Sequence, residues 1–358
     1  MNFSFLKRKS PTLVGVDISS VAIKMVELAD DSHGGYKLKS CATQTLSSEA
    51  ILDGNINDLE KSIETMQSTW KSLATNEKRV ALALPSAAVI SKKVQMPTGL
   101  TEADMEAQVE SVASQYIPFS IDEMSIDYQI LGPIADNPDE VEVLIVASNK
   151  DKIEDRVAVA EGAGLKAIVV DVESYAIEAA YTLVAKQLPN AGQELTVMIV
   201  NIGLALIHIT VLHDNKAVYT RDHSFDGGRL RQEIQNRFGL SSAEAELAKV
   251  KGGLPDSYEI EVLAPFLKTI VTEIASALQT FTSTTKYDDV DHILLAGDCE
   301  AMSLLATLLQ EQTQINTLIA NPFTGMTIDA KLNQQQVSKD AASMLIACGL
   351  AMREGLAV

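Results

Sequence analysis

Two short turns about half a chain apart hold the residues of this sequence best suited to chemistry. Val16-Asp17-Ile18-Ser19-Ser20 lies near the N-terminus, and Val200-Asn201-Ile202-Gly203-Leu204-Ala205 lies past the middle. In each, a β-branched run leads to a polar residue, an isoleucine and a small residue, and then to apolar residues again. This is the pattern of strand, tight turn, strand. Small residues at such turns let backbone N–H groups approach a phosphate. Two turns facing each other across a cleft would clamp a nucleotide. The Asp17 carboxylate, at the end of a strand that reads as buried, would hold Mg²⁺ directly or through water. The plainer alternative is a turn aspartate that caps its own backbone. Lys24 follows in an otherwise apolar strand. It is either aimed at a phosphate or at Asp17, or it snorkels from a sheet edge.

Three further positions carry a sharper and a plainer reading. Gly227-Gly228 opens a helix, where an anion would be welcome, or is simply a turn. Glu246 and Lys249 stand i, i+3 on one helix face, either contacting a nucleoside or forming a surface ion pair. Gly297-Asp298 follows the strand Ile293-Leu294-Leu295-Ala296. A glycine there would let a flat adenine approach the backbone, or would only turn the chain.

Composition narrows the function classes. The 358 residues, 46% of them hydrophobic, are ample for two domains with sizeable cores. The formal net charge of -19 leaves no basic face for nucleic acid. Cys41, Cys299 and Cys348 are widely spaced, and no Cys-x-x-Cys or His-Glu-x-x-His pattern occurs. Neither a disulfide framework nor a zinc site is expected, and a reducing cytoplasm fits. No apolar run approaches the roughly 18 residues of a membrane span. The start, Met1 to Lys9, is not ordered like a signal peptide. Its two Phe and its Lys7-Arg8-Lys9 run would suit an anionic membrane surface, against the plainer reading of a frayed end.

The elements that must position these residues follow from periodicity. Segment 12–28 reads as two strands joined at Asp17–Ser20, with a third over 36–46. Asn57 and Glu60 read as N-cap and N3 of a helix that buries Leu59, Ile63, Met66, Trp70 and Leu73. Val80–Leu84 is a buried strand. Segment 86–148 reads as strand, helix, strand, strand. Its helix starts at Thr101, buries Met105, Val109, Val112 and Tyr116, and stops at Ile117-Pro118-Phe119. Strands Met124–Leu131 and Val141–Ser148 flank a polar loop at 136–139. Residues 150–163 read as helix, Lys166–Val170 as strand and Ser174–Gln187 as helix. Pro189-Asn190-Ala191-Gly192 is the best boundary. The second half begins with strand Thr196–Ile202 and a hairpin, Leu206–Leu212 with Ala217–Arg221, turning at Asp214-Asn215. Ser241 and Glu244 form a capping box. A helix over 265–285 carries Phe266, Ile270, Ile274, Leu278 and Phe281 on one side. A last helix spans about 338–353 around Gly349. Each half is thus a mixed sheet with helices on its faces.

Taken in order, these pieces resemble the signatures of the actin, sugar-kinase and chaperone ATPase superfamily. The phosphate turns are Val16–Ser20 and Val200–Ala205, the connecting elements Asp171–Tyr181 and Ala341–Met352, and the adenosine turn Ala296–Cys299. Glu246-Leu-Ala-Lys249 is similar to a nucleoside-contacting Glu-x-x-Lys. The insertion, with Leu84-Pro85-Ser86, Pro97, Tyr116-Ile117-Pro118-Phe119 and Ile126-Asp127-Tyr128, resembles that of the cell-division protein FtsA. Asp53-Gly54-Asn55-Ile56 and Asn321-Pro322-Phe323-Thr324-Gly325-Met326 make the chain, from about Pro11 to Arg353, similar to the PilM family of type IV pilus assembly proteins.

The resemblance implies an α/β fold of duplicated actin-like domains, each a ribonuclease-H-like mixed sheet, with an inserted small α+β subdomain. The expected layout is a tail over 1–11 and a first domain over 12–85 plus 166–192 with helix 340–358. The insertion covers 86–165. The second domain takes 193–225 plus 289–339, with an upper subdomain over 226–288. The implied function is a cytoplasmic ATP- and Mg²⁺-binding platform, peripheral at the inner membrane. It would dock the N-terminal cytoplasmic peptide of the membrane protein PilN and link it to the pilus motor ATPases. The groove would lie between the insertion and its neighbour, around the apolar 89–112 region. The implied nucleotide-binding residues are Asp17, Ser19, Ser20, Lys24, Asn201, Gly203, Leu204, Ala205, Gly227, Gly228, Glu246, Lys249, Gly297 and Asp298, with Asp17 on the metal. Ser19, Ser20 and Gly203 would supply backbone donors.

Three departures bear on activity. Asn201 stands where that superfamily usually has Asp, Ser19 where it often has Gly, and Asp298 where the adenosine turn often has a second Gly. Loss of the carboxylate at Asn201 points to slow or absent hydrolysis, and no catalytic residue is assigned. The alternatives are an actin-fold phosphotransferase or ATPase, and an FtsA-like filament former. The latter is disfavoured because the chain stops at Gly355-Leu356-Ala357-Val358 without an amphipathic membrane helix.

Overall fold

The computed structural model describes residues 13–31, 34–47, 49–52, 54–134, 137–251 and 253–353, without the side chains of Ala243, Glu246, Val250 and Lys251. The tail 1–11, Asp53 and Gly355–Val358 lie outside the described residues.

The two halves are built to one plan. In the first, Val14–Ile18 pairs antiparallel with Ala22–Asp30, which pairs antiparallel with Tyr36–Thr45. On its other side Val14–Ile18 runs parallel to Arg79–Leu84, and that strand parallel to Lys166–Val172. In the second half Thr196–Ile202, Leu206–His213 and Lys216–Ser224 repeat the antiparallel meander. His292–Gly297 and Asn316–Ile319 repeat the two parallel strands. Val14–Ile18 is buried along its whole length, Asp17 included. The meander of the second half closes on Asp214 and Asn215, both with positive φ (48° and 63°). Asp and Asn tolerate that conformation, and it matches the twist of the strands.

A three-stranded sheet is inserted between the two parallel strands, after Arg79–Leu84. Val89–Pro97 and Met124–Ile134 are its edges, and Asn137–Asn149 lies between them. Helix Glu102–Tyr116 covers one face, packing Met105, Val109 and Ala113 on Met96, Val143 and Ile145. Thr101 caps this helix by accepting from the Asp104 N–H. The strands run past the loop expected at 136–139, since Asn137 already pairs with Ile134.

Several local expectations are corrected. Asp58, not Asn57, caps the helix Leu59–Leu73. The Asn57 amide is engaged instead with the carbonyl of Glu49. Leu59 and Tyr116, expected in cores, are 43% and 49% exposed. Each sits in a terminal turn of its helix, where the apolar stripe has rotated off the core. Helix Lys150–Gly162 puts Val159 and Ala160 into the core of Val14, Val16 and Met66. The segment after Asn149 therefore packs with the first sheet, not the insertion. Likewise Thr327–Ile328 pairs with Lys37 and Leu38 of the first sheet, inside the range expected for the second half.

The closing helix is also divided. Gln334–Asp340 and Leu345–Ala351 are α-helical, and Ala341–Met344 between them is a tighter turn. Gly349 stands in the second piece because a Cβ there would collide with the carbonyl of Ala176 on helix Glu173–Val184. Arg353 then ties the end down, donating to Asp171 and to the carbonyl of Tyr175. Among the described residues no helix is long and apolar enough to cross a membrane.

Candidate functional site

The matched meander turns face one another across a cleft of about 810 Å³. Asp17, Ser19, Ser20 and Lys24 line it from the first sheet, and Asn201, Gly203, Leu204 and Ala205 from the second. Gly228, Gly297 and Asp298 complete the group of expected residues there. The volume suits a ligand of nucleotide size.

Not every expected donor is available. The Ser19 N–H is bonded to the carbonyl of Ala22 at 3.0 Å, and the Ser19 hydroxyl closes on the same residue. The Gly203 N–H is likewise taken by the carbonyl of Leu206 at 2.9 Å. A two-strand turn satisfies its first N–H internally, so those groups brace the turns. The N–H groups of Ser20, Leu204 and Ala205 take no protein acceptor among the described residues.

Gly227 lies under the second turn, its N–H donating to the carbonyl of Leu204 at 2.7 Å. Helix Gly228–Phe238 does start in the cleft wall, but the Asp226 carboxylate accepts from the Arg229 N–H. That position already carries a negative charge, so the helix start is poorer for an anion than Gly-Gly alone suggests. Gly297, at φ +98°, is required because the backbone of Ile202 presses where a Cβ would be. Its close approach is to the second turn itself.

The charge at the centre of the cleft is concentrated. Lys24 is 2% exposed and reaches both Asp17 at 3.5 Å and Asp298 at 2.5 Å. Burial opposes its charge, but the two carboxylates outweigh it and raise the ammonium above its ordinary range. Burial pushes the Asp17 carboxyl up, only partly countered by Lys24. Asp17 has the longer of the two contacts.

Four cleft residues escaped sequence reading. Glu173 begins helix Glu173–Val184, and burial with Asp17 nearby pushes it up to about 8. Arg156 is buried on helix Lys150–Gly162. His208 and Asp222 face each other on the hairpin and are joined at 2.5 Å, with Thr210 on the other ring nitrogen at 3.0 Å. His208 is also the cross-strand partner of Asn201. The Asp214-Asn215 turn alone would set His208 opposite Arg221; a register shift between Val211 and Leu212 brings Asp222 there instead, so the turn gave no signal for this pair. Arg156 had none, being a single arginine in an amphipathic helix.

The expected nucleoside contacts are not among the residues that line the cleft. Lys249 pairs with Glu300 at 3.5 Å, and Tyr258 donates to the same carboxylate at 3.0 Å. Glu246 lies on helix Ser242–Lys251, with its side chain outside the described residues.

The sequence profile of the family described as type IV pilus assembly protein PilM matches residues 15–355. A solved structure described as a PilM-PilN type IV pilus biogenesis complex superposes with a TM-score of 0.80 at 23% identity, covering 97% of this chain and 100% of that one. The ethanolamine utilization protein EutJ from Carboxydothermus hydrogenoformans superposes with a TM-score of 0.54 at 15% identity, covering 96% of this chain and 89% of that one. The duplicated mixed sheets are those of the actin-like ATPase fold. With the profile spanning nearly every described residue, the chain belongs to the PilM family of type IV pilus assembly proteins.

Proposed function

We propose that this chain is an ATP- and Mg²⁺-binding scaffold of the type IV pilus assembly complex, cytoplasmic and held at the inner membrane by its partners. It docks the N-terminal cytoplasmic peptide of a PilN protein, relays that contact to the motor ATPases, and hydrolyses ATP slowly or not at all. The observation that carries the nucleotide reading is the pair of matched turns on opposite walls of one cleft, with Asp17 beneath them. Among the described residues no three His, Cys, Asp or Glu side chains converge as a metal site. Mg²⁺ would therefore rest on Asp17, water and the phosphates themselves, as that ion commonly does. Ser20, Leu204 and Ala205 would donate to phosphate, and Lys24 would face it after leaving Asp298. Glu246, Lys249 and the turn at Gly297 would meet the nucleoside once Lys249 exchanges Glu300 for ribose or base.

The PilM family membership supports the peptide reading. Val89–Pro97 is an edge strand of the inserted sheet, and the Pro85–Ala88 segment leading into it lines the cleft. An extended peptide laid along that edge would gain main-chain hydrogen bonds. Calorimetric titration of nucleotide-stripped protein with Mg-ATP, with phosphate release followed in the same sample, tests the scaffold reading. Tight binding without release supports it, and binding with rapid release overturns it.

The rival reading is an ATPase or phosphotransferase. It draws on Glu173 and the His208–Asp222 pair, each a candidate proton acceptor in the cleft wall. Phosphate release abolished by Glu173→Gln or His208→Asn would favour it.

A further inference from the structure

Two acids of one turn, Gly297-Asp298-Cys299-Glu300, hold the two lysines that a nucleotide in this cleft would use. Asp298 holds Lys24 between the phosphate turns. Two residues on, Glu300 divides its carboxylate between two other groups of the second half. Its Oε2 lies 3.5 Å from Lys249 Nζ, and its Oε1 accepts from the Tyr258 hydroxyl at 3.0 Å. Tyr258 is 8% exposed, and burial together with the Glu300 carboxylate raises its hydroxyl well above the ordinary range, so it stays a donor. Gly297 and Asp298 line the cleft, and among the described residues none between Gly228 and Gly297 does. Helix Ser242–Lys251, which carries the expected nucleoside contacts, thus gives the cleft no wall while Glu300 holds Lys249.

The backbone on both sides of this contact is irregular. The Asp298 N–H is tied to the carbonyl of Ile202 at 2.9 Å, which fixes the start of the turn. Ala301, directly after Glu300, lies in the left-handed region at φ 55° and starts helix Met302–Thr313 without a side-chain cap. Alanine is uncommon there because its Cβ crowds the following carbonyl, and such strained positions gather at ligand clamps and switches. Tyr258 opens the π turn Glu259–Leu263, a wide turn that also recurs at functional sites. The Glu300 side chain keeps 31% of its surface, so it is placed to be displaced rather than sealed in a core. A neutral ribose hydroxyl or base edge is a weaker partner for an ammonium than a carboxylate is, so a nucleoside competes poorly with Glu300 for Lys249. We propose that Glu300 decides whether this cleft admits a nucleoside: while it holds Lys249 and Tyr258, only the phosphate end takes ligand. The inference rests on the nucleotide reading proposed above and divides that site in two. A bare polyphosphate has Asp298 to displace, and a nucleoside triphosphate has both Asp298 and Glu300.

The test is calorimetric titration of the nucleotide-stripped chain with Mg-ATP and with Mg-tripolyphosphate, which carries the phosphates and no nucleoside. Wild type, Glu300→Ala and Glu300→Gln are compared, each with its melting temperature. Wild type should bind the two ligands within about fivefold of each other. Glu300→Ala should bind Mg-ATP tighter by about fivefold or more, and tripolyphosphate within about twofold of wild type. If Glu300→Ala melts early, Glu300→Gln, which keeps the shape and drops the charge, is read in the same way. Wild type that prefers Mg-ATP by more than about fivefold would mean that the nucleoside end is already open, and would overturn the inference. So would a variant whose two affinities move together, or in which neither moves. If neither wild type nor variant binds either ligand, the nucleotide reading itself is refuted, a result distinct from a failed role for Glu300.

Discussion

Lys24 of the first sheet and Asp298 of the second are joined at 2.5 Å across the cleft, 274 residues apart in sequence. The ammonium is almost wholly buried, while the Asp298 side chain keeps 26% of its surface. This pair closes the space between the turns with the charge that a phosphate would otherwise meet. A nucleotide must therefore compete with Asp298 for Lys24.

Removing that competitor should favour nucleotide. Asp298→Asn is expected to bind Mg-ATP more tightly, by roughly fivefold for a competition worth about 1 kcal/mol. The same change should lower the melting temperature, because Lys24 keeps only its longer contact to Asp17. Calorimetry and a thermal melt on one preparation read both. Unchanged affinity would mean that phosphate never approaches Lys24.

Asp17→Asn keeps the size of the side chain and removes its charge. The expected result is at least about tenfold weaker ATP binding in the presence of Mg²⁺, with little change in its absence. Equal losses with and without Mg²⁺ would remove Asp17 from the metal and leave it as a turn residue.

Glu173 gives the protein a pH signature. Its folded-state pKa is raised from 4.5 to about 8. Over that window the folded state binds more protons than the unfolded one, so stability falls as pH rises from about 4.5 to about 8 and then levels. Glu173→Gln should flatten this slope and stabilise the protein near pH 8. The gain should be roughly 1–3 kcal/mol once water's access to the partly exposed carboxyl is allowed for. Denaturant melts across the window, in wild type and variant, measure the difference. Parallel curves would show that Glu173 ionises normally.

Asn201→Asp restores the carboxylate that this turn lacks, opposite His208. If that loss limits turnover, phosphate release should rise by at least about tenfold, within the range of a general base. A variant as slow as wild type would place the limit elsewhere in the cleft.

Gly349→Val is the structural control. Its side chain would collide with the Ala176 carbonyl, between two helices that pack without slack. A loss of more than about 3 kcal/mol of stability is expected by urea melt. A small loss would mean that the closing helix can shift away from Glu173–Val184.

The legible parts were those fixed by neighbours in sequence. The two turns, the Asp214-Asn215 hairpin and the Thr101 and Ser241 caps depend on residues a few positions apart, and each was read correctly. Asn57 was misread because its amide is claimed by Glu49, a contact no local pattern encodes. The role of Ser19 and Gly203 was misread for a related reason. Both were judged by the phosphate they would serve, while the turn consumes their N–H groups first.

The sequence by itself determined that there are two halves of one plan, where their polar turns lie, and which residues those turns carry. Apolar period and turn chemistry are local, so they survive in one dimension. Only the tertiary structure decided that Lys24 answers to Asp298, that Glu173 and Arg156 share the cleft with Asp17, and that Lys249 is held by Glu300. The first comes from setting one sheet against the other, and the rest from packing helices and loops within one half. Charge partners there are chosen by proximity in a water-poor space, and sequence spacing carries no trace of it.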